Sequence, residues 1–432
     1  MFSRCDAAPL PGFFRVRQIF ETVCLEDVVS ETRSQLDRLF RLVPFTPGKT
    51  VAITAGSRGI RNIDTILKTV AAYFRGLGLE PFLVPAMGSH GGATAKGQTD
   101  LLAQYGITEK TVGCPIRSSM ETVTLDSLTL GDGKMVPVHF DRFAAEADYV
   151  FPVNRIKTHT RFAGPIESGL SKMLMVGLGK ETGATLYHRF ISVDSFDDAA
   201  RKVVSLIRNR ISLLGGLGIV ENALDQTAVL RAASPEEIEK TDEELLVLAK
   251  RMMPLIPFDE IDLLLIDQIG KNISGTGMDT NIVGRKRNDR KTLPGEKPVV
   301  HRIAVCDLTP ETGGNANGIG LADYCLAAVL EKMDINETKI NAVAANRPHA
   351  AEIPQVFSTV QEILDTAAKE NGVKKAEEMR LLRIRDTLHL ETLLCSEPLR
   401  EQANILESRG KLKILEEPLP GGFDVNGPDR SE

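Results

Sequence analysis

The chain has 432 residues, which at the usual size of about 100–200 residues per domain predicts two or three domains. Its 58 acidic and 52 basic residues give a net charge of −6, and this mild acidity argues against a nucleic-acid-binding protein. With only seven histidines and no CxxC pair, the sequence also argues against a His-rich or Cys-type metal site.

The first residues and the apolar segments indicate a cytoplasmic protein. Residues 1–14 have no long apolar stretch behind a basic region, so they do not resemble a secretory signal. No segment approaches the ~20 apolar residues that a membrane span needs. Six scattered cysteines do not indicate a disulfide scaffold. We therefore expect a reduced cytosolic protein with neither a membrane nor a nucleic acid as its partner.

Short apolar strands alternate with helices in the first part of the chain. The predicted strands are Thr50–Gly56, Pro81–Met87, Lys134–Phe140 and Asp148–Asn154. The predicted helices are Ile63–Phe74, Ala95–Tyr105, Ser195–Leu214 and one that begins at Ser234. Such alternation is typical of βαβ units that build a parallel sheet.

A second α/β unit follows the proline-containing segment Arg251–Pro257, which is the predicted domain boundary. Its predicted elements are the strands Asp262–Asp267 and Arg302–Leu308, the polar loop Gly270–Gly295 and the helix Ile319–Lys332. The predicted fold class is therefore α/β, with two domains that each contain a mostly parallel sheet flanked by helices. The predicted ranges are residues 1–253, residues 258–416 and a flexible tail at 417–432.

Two glycine-containing loops directly follow predicted strands. They are Gly56-Ser57-Arg58-Gly59 and Gly88-Ser89-His90-Gly91-Gly92. Parallel sheets bind ligands at the carboxyl ends of their strands, where glycines let backbone N–H groups approach an anion. Arg58 adds a bidentate donor for phosphate or carboxylate. Neither loop is a Walker or dinucleotide fingerprint, and an ordinary turn is the alternative interpretation.

The segment Asn154–Arg189 concentrates groups that can carry chemistry. It contains His159, His188 and Lys172, and the lysine lies beside the apolar run Met173–Val176. A lysine in apolar surroundings has a depressed pKa and can act as an amine nucleophile. The alternatives are a surface lysine that extends to solvent and two structural histidines.

The arrangement of these residues resembles the nickel-dependent lactate racemase family, whose members use a nickel-pincer nucleotide. The family pattern is a His, then Phe-Ala-Gly, then Ser-Gly-x-x-Lys, and a second His sixteen residues after the Lys. The matching residues are His159, Phe162-Ala163-Gly164, Ser168-Gly169-Leu170-Ser171-Lys172 and His188. His90 matches the other catalytic histidine of the family, and Ser57-Arg58 match its arginine loop. Residues 307–324 and 348–354 resemble its second-domain signatures.

The resemblance implies a role for each matched residue. Lys172 would attach the cofactor, a pyridinium-3,5-bisthiocarboxylic acid mononucleotide that carries nickel, and His188 would be the protein ligand to nickel. His90 and His159 would be paired bases, and Lys271 would orient the substrate. The remaining cofactor-, phosphate- or substrate-binding residues would be Ser57, Arg58, Gly91, Gly92, Ser168 and Gly169.

The implied activity is a racemase or epimerase of a 2-hydroxy acid that acts by reversible hydride transfer through a 2-keto acid intermediate. The active site would lie in a cleft between the two domains, and the cofactor-synthesis enzymes would be partners. The thirteen residues from His159 to Lys172 are a longer gap than in typical lactate racemases. The loop Asp267–Gly277 also differs from the lactate-type loop. Both differences predict a substrate other than lactate.

Three other classes of protein are weighed against this one. A nicotinamide-dependent dehydrogenase of 2-hydroxy acids would carry G-x-G-x-x-G after a strand, and the first domain has none. A hydrolytic zinc enzyme would carry a motif such as HExxH, which is missing from the sequence. A non-catalytic protein that binds the cofactor or a hydroxy acid remains open.

The basic run Arg285–Lys291 is either a solvated loop or a surface that attracts a substrate with several carboxylates.

Overall fold

The structure is a computed structural model that describes residues 13–129, 133–190, 196–344 and 347–415, without the side chains of residues 188–190 and 344. The predicted tail at 417–432 lies outside the described residues. In the described part of the chain, no helix has both the length and the hydropathy to cross a membrane. The chain divides into two compact units. One is Glu21–Met253, and the other joins the residues up to Phe20 to those from Pro254 onward.

Strands and helices alternate along both units, and the fold is of the predicted α/β class. The strands are β1 (Phe13–Gln18), β2 (Thr50–Ala55), β3 (Glu80–Pro85), β4 (Thr122–Thr129), β5 (Met135–Asp141), β6 (Tyr149–Phe151), β7 (Val153–Arg155), β8 (Gly216–Glu221), β9 (Thr227–Ala233), β10 (Glu260–Ile269), β11 (Val299–Leu308), β12 (Tyr324–Leu326), β13 (Gln355–Phe357), β14 (Leu381–Ile384), β15 (Thr392–Ser396) and β16 (Leu412–Leu415). The helices are α1 (Val28–Phe40), α2 (Ile63–Gly76), α3 (Ala95–Gln104), α4 (Glu109–Val112), α5 (Arg142–Glu146), α6 (Leu170–Lys172), α7 (Lys180–Phe190), α8 (Phe196–Arg210), α9 (Ile238–Met252), α10 (Ala327–Lys332), α11 (Ile335–Ala344), α12 (Val360–Glu370) and α13 (Arg400–Ser408).

The Glu21–Met253 unit is built around a parallel sheet in the order β3-β2-β6. Its central strand β2 is a β-branched run that is almost entirely buried. The helix α2 covers the sheet with the apolar side chains that its sequence spacing predicted: Ile63, Ile66, Leu67, Val70 and Phe74. The predicted strand at 148–154 is divided into β6 and β7 at Pro152, which has no N–H group for a ladder. Strand β7 joins a second sheet in the order β7-β8-β9.

The second unit contains an eight-stranded sheet in the order β13-β12-β11-β10-β14-β15-β1-β16. The strands from β13 to β14 pair in parallel, whereas β15, β1 and β16 pair antiparallel to their neighbours. The residues up to Phe20 therefore do not belong with the first domain, where the predicted range 1–253 placed them. The physical reason is backbone pairing, because β1 lies between β15 and β16.

The segment 319–332 does not form the single helix that its periodicity predicted. A short 3₁₀ turn at Ile319–Leu321 is followed by β12, and only Ala327–Lys332 is α-helical. All three residues of β12 are buried, and the strand pairs in parallel with β11 and β13. Pairing within the large sheet therefore outweighs the helical spacing of the apolar residues.

Candidate functional site

The two glycine loops lie at the same edge of the parallel sheet of the first unit. Strands β2, β3 and β6 run in the same direction, so the segments after them start from the same edge. The hydroxyl oxygen of Ser57, after β2, lies 2.5 Å from Nδ1 of His90, after β3. This hydrogen bond brings together two loops that the sequence separates by about thirty residues.

The segment that carries Lys172 is tied to strand β7 and to the loop after β3. The side chain of Asn154 donates to the carbonyl oxygen of Gly169 over 2.7 Å. The hydroxyl of Ser168 accepts from the backbone N–H of Lys157 at 2.9 Å and donates to its carbonyl at 2.6 Å. The N–H of Gly88 donates to the carbonyl of Gly177. Hydrogen bonds on both sides of α6 thus hold the segment of Lys172 against β7 and the glycine loop after β3.

Asp242 fixes the start of the helix that carries Lys172. This fully buried carboxylate on α9 accepts the backbone N–H groups of Leu170 and Ser171, each over 2.8 Å. Burial raises the pKa of Asp242 to about 7. Gly169 has a φ of +107°, and a Cβ atom at this position would lie 2.1 Å from Oδ1 of Asp242. Only glycine fits between this carboxylate and the helix.

Lys172 lies in a cationic and partly dehydrated environment. Its side chain is half-buried at the end of α6, where a π-helical turn at Met173–Gly177 begins. Desolvation, and then the positive charges of Arg58 and Lys157, lower the pKa of Lys172 to about 7. Near neutral pH a large share of this amine is therefore uncharged and nucleophilic. This environment differs from that of a surface lysine whose amine extends into water.

Lys180 forms a buried network that connects α7 to the loop of His90. Its amine donates to the carbonyl of Pro85 at 2.5 Å and to the side chain of Gln98 at 3.2 Å. It also pairs with Asp141 at 3.0 Å, and both charged side chains are fully buried. The amide of Gln98 in turn donates to the carbonyls of Gly88 and His90. Lys180 has a φ of +53°, a strained conformation of the kind found at functional sites.

His159 lies in the segment after β7 and is held by backbone groups. Its Nδ1 accepts the N–H groups of Arg161 at 3.1 Å and Phe162 at 3.2 Å. The imidazole stacks on the ring of Phe162 at a centroid distance of 4.3 Å, and Phe162 stacks on Phe196 at 4.8 Å. The backbone N–H of His159 donates to the carboxylate of Glu167 at 2.9 Å. The position and orientation of this ring are thus fixed by the fold.

Two further predicted site residues, His188 and Lys271, lie on other segments of the chain. His188 lies on α7, but its side chain is outside the described part of the structure. Lys271 belongs to the second unit, where its amine donates to Asn341 and its backbone N–H donates to Thr312. Among the described residues, no group of three or more His, Cys, Asp or Glu side chains could hold a metal ion.

Three of the five basic residues in the run Arg285–Lys291 pair with acidic side chains. Arg285 is not solvated but buried, with its guanidinium 2.7 Å from Asp323. The other paired charges of this run are Arg287 with Glu296, Arg290 with Glu352, and Asp289 with Arg347. These pairs favour a structural role for the loop.

Several residues that position the site carried no signal in the sequence. Asp242 contacts the start of α6 from a position about seventy residues away, and Gln98 and Asp141 contact Lys180 across similar or smaller separations. Their residue types and local spacing are those of ordinary helix and strand residues. Only the tertiary structure brings them to the site.

The fold and the loops at the sheet edge can be compared with those of known proteins. No model of a known protein family matches the chain, and no curated protein sequence matches it. The lactate racemase apoprotein from Thermoanaerobacterium thermosaccharolyticum matches with a TM-score of 0.50 and 12% identity, over 85% of this chain and 99% of that one. A crystal structure of a protein from Thermotoga maritima has a TM-score of 0.49 and 14% identity, over 77% and 84% of the two chains. Such low identity shows fold alone, and the fold is similar to that of the lactate racemase apoprotein.

Proposed function

We propose that this protein is a racemase or epimerase of a 2-hydroxy acid other than lactate, with a nickel-pincer nucleotide attached through Lys172. The observation that carries the proposal is the amine of Lys172, which is partly dehydrated and close to Arg58 and Lys157, on a segment that is hydrogen-bonded to β7 and to the glycine loop after β3. The similarity of fold to a lactate racemase apoprotein supports the same class of reaction.

The residues at this edge fit such a cofactor. An amine with a pKa of about 7 can react near neutral pH, which is what covalent attachment requires. The cations around it suit the negative charge of a nucleotide phosphate. In this proposal Ser57, Gly91 and Gly92 contribute donors for that phosphate or for a substrate carboxylate. His188 supplies the imidazole, a ligand that suits nickel.

The proposed chemistry follows from the weak acidity of the α-carbon of a 2-hydroxy acid. Loss of that hydrogen as a proton would place a second negative charge beside the carboxylate. Loss as a hydride gives a neutral carbonyl carbon instead, and the bound cofactor would accept and return this hydride. A proton-accepting group for the hydroxyl is then required, and His90 is the group we assign to it. Arg58 binds and orients the substrate in this scheme.

The test uses protein produced together with the cofactor-synthesis enzymes. Single enantiomers of 2-hydroxy acids with deuterium at the α-carbon are supplied, and the product is analysed by chiral chromatography and mass spectrometry. We expect one of these acids to be inverted with the deuterium retained. Lys172→Ala should abolish inversion, whereas Lys68→Ala, which changes an exposed lysine on α2, should leave it intact.

Three outcomes of this experiment contradict the proposal. Inversion with loss of deuterium to solvent would indicate removal of a proton rather than a hydride. Conversion to the keto acid that depends on added NAD would indicate a dehydrogenase. Binding of cofactor or hydroxy acid without any inversion would indicate a non-catalytic binding protein.

A further inference from the structure

The hydrogen bonds of His159 determine which of its ring nitrogens carries the proton. Nδ1 faces two backbone N–H groups, those of Arg161 and Phe162. Backbone N–H groups donate and cannot accept, so the nitrogen that faces them must be the unprotonated one. A neutral imidazole then carries its proton on Nε2. His159 is therefore held in the Nε2–H form.

The contacts around His159 oppose conversion to a form that carries the proton on Nδ1. A half-turn of the ring would place a carbon against the two N–H groups and leave both without an acceptor. The stack on Phe162, with an interplanar angle of 17°, holds the plane of the imidazole. The backbone of His159 is anchored to Glu167, a carboxylate that is almost fully buried and paired with Lys250 at 2.7 Å. Protonation at Nδ1 would likewise remove both accepted hydrogen bonds.

His90 differs from His159 in the partner of its Nδ1. That partner is the hydroxyl of Ser57, which can either donate or accept. When the Nδ1–H of His90 donates to Ser57, the other ring nitrogen has a lone pair that can take a proton. The two histidines are therefore unequal, although both match catalytic positions of the same pattern.

We infer that His159 acts as a neutral hydrogen-bond donor through Nε2, and that His90 alone accepts the hydroxyl proton. The inference rests on the proposed function and differs from the paired bases that the sequence pattern implies. The bound cofactor would supply the acceptor for the hydride of the α C–H bond, and the electron pair of the broken O–H bond would form the carbonyl π bond. The hydroxyl proton goes to His90, and the Nε2–H of His159 donates to the oxygen. A neutral imidazole can polarise a carbonyl in this way.

One test needs neither cofactor nor substrate. The protein without cofactor is labelled with ¹⁵N-histidine, and the His159 signals are identified by their loss in His159→Gln. Nitrogen chemical shifts distinguish the two neutral forms of imidazole from imidazolium. We expect the Nε2–H form at pH 7 to 8. An Nδ1–H form or an imidazolium would overturn the inference.

A second test compares variants of the loaded enzyme. The amide of glutamine can donate from the position of Nε2 but cannot accept a proton. We expect His159→Gln to keep inversion within about tenfold of the wild type, and His159→Leu to lose about 10²–10³-fold, the usual effect of a lost donor. His90→Gln should lose about 10²–10⁴-fold, the usual effect of a lost base.

The outcomes separate this inference from the proposed function. If His159→Gln is folded, as judged by its thermal unfolding, and is as inactive as His90→Gln, then His159 is a base and the inference is wrong. If the wild type inverts no hydroxy acid, the proposed function fails. In that case the nitrogen shifts still decide the form of His159.

Discussion

At the scale of single residues, the environment of Lys172 gives the site its chemical character. Arg58 and Lys157 act on the amine through their charges, in addition to its desolvation. We predict that Arg58→Gln raises the pKa of Lys172 above its value of about 7, because one repelling cation is removed. Titration of ¹³C-methylated lysines by NMR measures this shift, with Lys68 as the control. An unchanged or lower pKa would contradict the electrostatic account.

Gly169 is a second residue whose identity is dictated by its contacts. We predict that Gly169→Ala lowers the free energy of unfolding by well over ~1 kcal/mol, because the new Cβ meets Asp242 in a backbone conformation that disfavours alanine. Gly113→Ala is the matched control, since Gly113 also has a positive φ but open space around it. Urea denaturation compares the two. An equal loss of unfolding free energy in Gly169→Ala and Gly113→Ala would show that the contact with Asp242 is unimportant.

A local pattern in the sequence can identify candidate site residues. The spacing of His159, Lys172 and His188 and the glycine loops are visible in the printed sequence. The sequence does not show that the carboxylate of Asp242 holds the start of α6, because Asp242 belongs to a different helix. The unequal hydrogen bonds of His90 and His159 were equally hidden, because the pattern specifies residue types and not the partner of each nitrogen.

At the scale of elements, the buried pair of Lys180 and Asp141 joins α7 to β5 and to the end of β3. We predict that Lys180→Met lowers the free energy of unfolding by about 3–5 kcal/mol, because it leaves a buried carboxylate without its partner. The double change Lys180→Met with Asp141→Leu should be much less destabilising, since no buried charge remains. Denaturation in urea checks both. A double variant as unstable as the single one would contradict this explanation.

Elements with strong local periodicity were predictable, and those fixed by distant pairing were not. The helix predicted at Ile63–Phe74 is present as α2, and the strand predicted at Thr50–Gly56 is present as β2. In contrast, β12 interrupts a helical pattern because it completes a sheet with β11 and β13. No local signal in the sequence shows that a strand will be needed at that position.

At the scale of the whole molecule, the first strand belongs to the unit formed by the end of the chain. Val16 of β1 is fully buried and is paired with Leu393 and Ile414. We predict that Val16→Asp reduces hydrogen-exchange protection in residues 254–415, because a charge is buried in that sheet. Protection in residues 21–253 and the titration of Lys172 should change little. A loss of hydrogen-exchange protection that is confined to residues 21–253 would contradict this division of the chain.

The proposed attachment of a nickel-pincer nucleotide to Lys172 distinguishes a racemase from a protein that shares only its fold. The most direct measurement is the intact mass and nickel content of protein produced with the cofactor-synthesis enzymes. We expect a covalent addition with the mass of the cofactor, located on Lys172 by peptide analysis, missing from Lys172→Arg and kept in Lys68→Arg. An unmodified wild type, or a Lys172→Arg variant that still carries the addition, would contradict it.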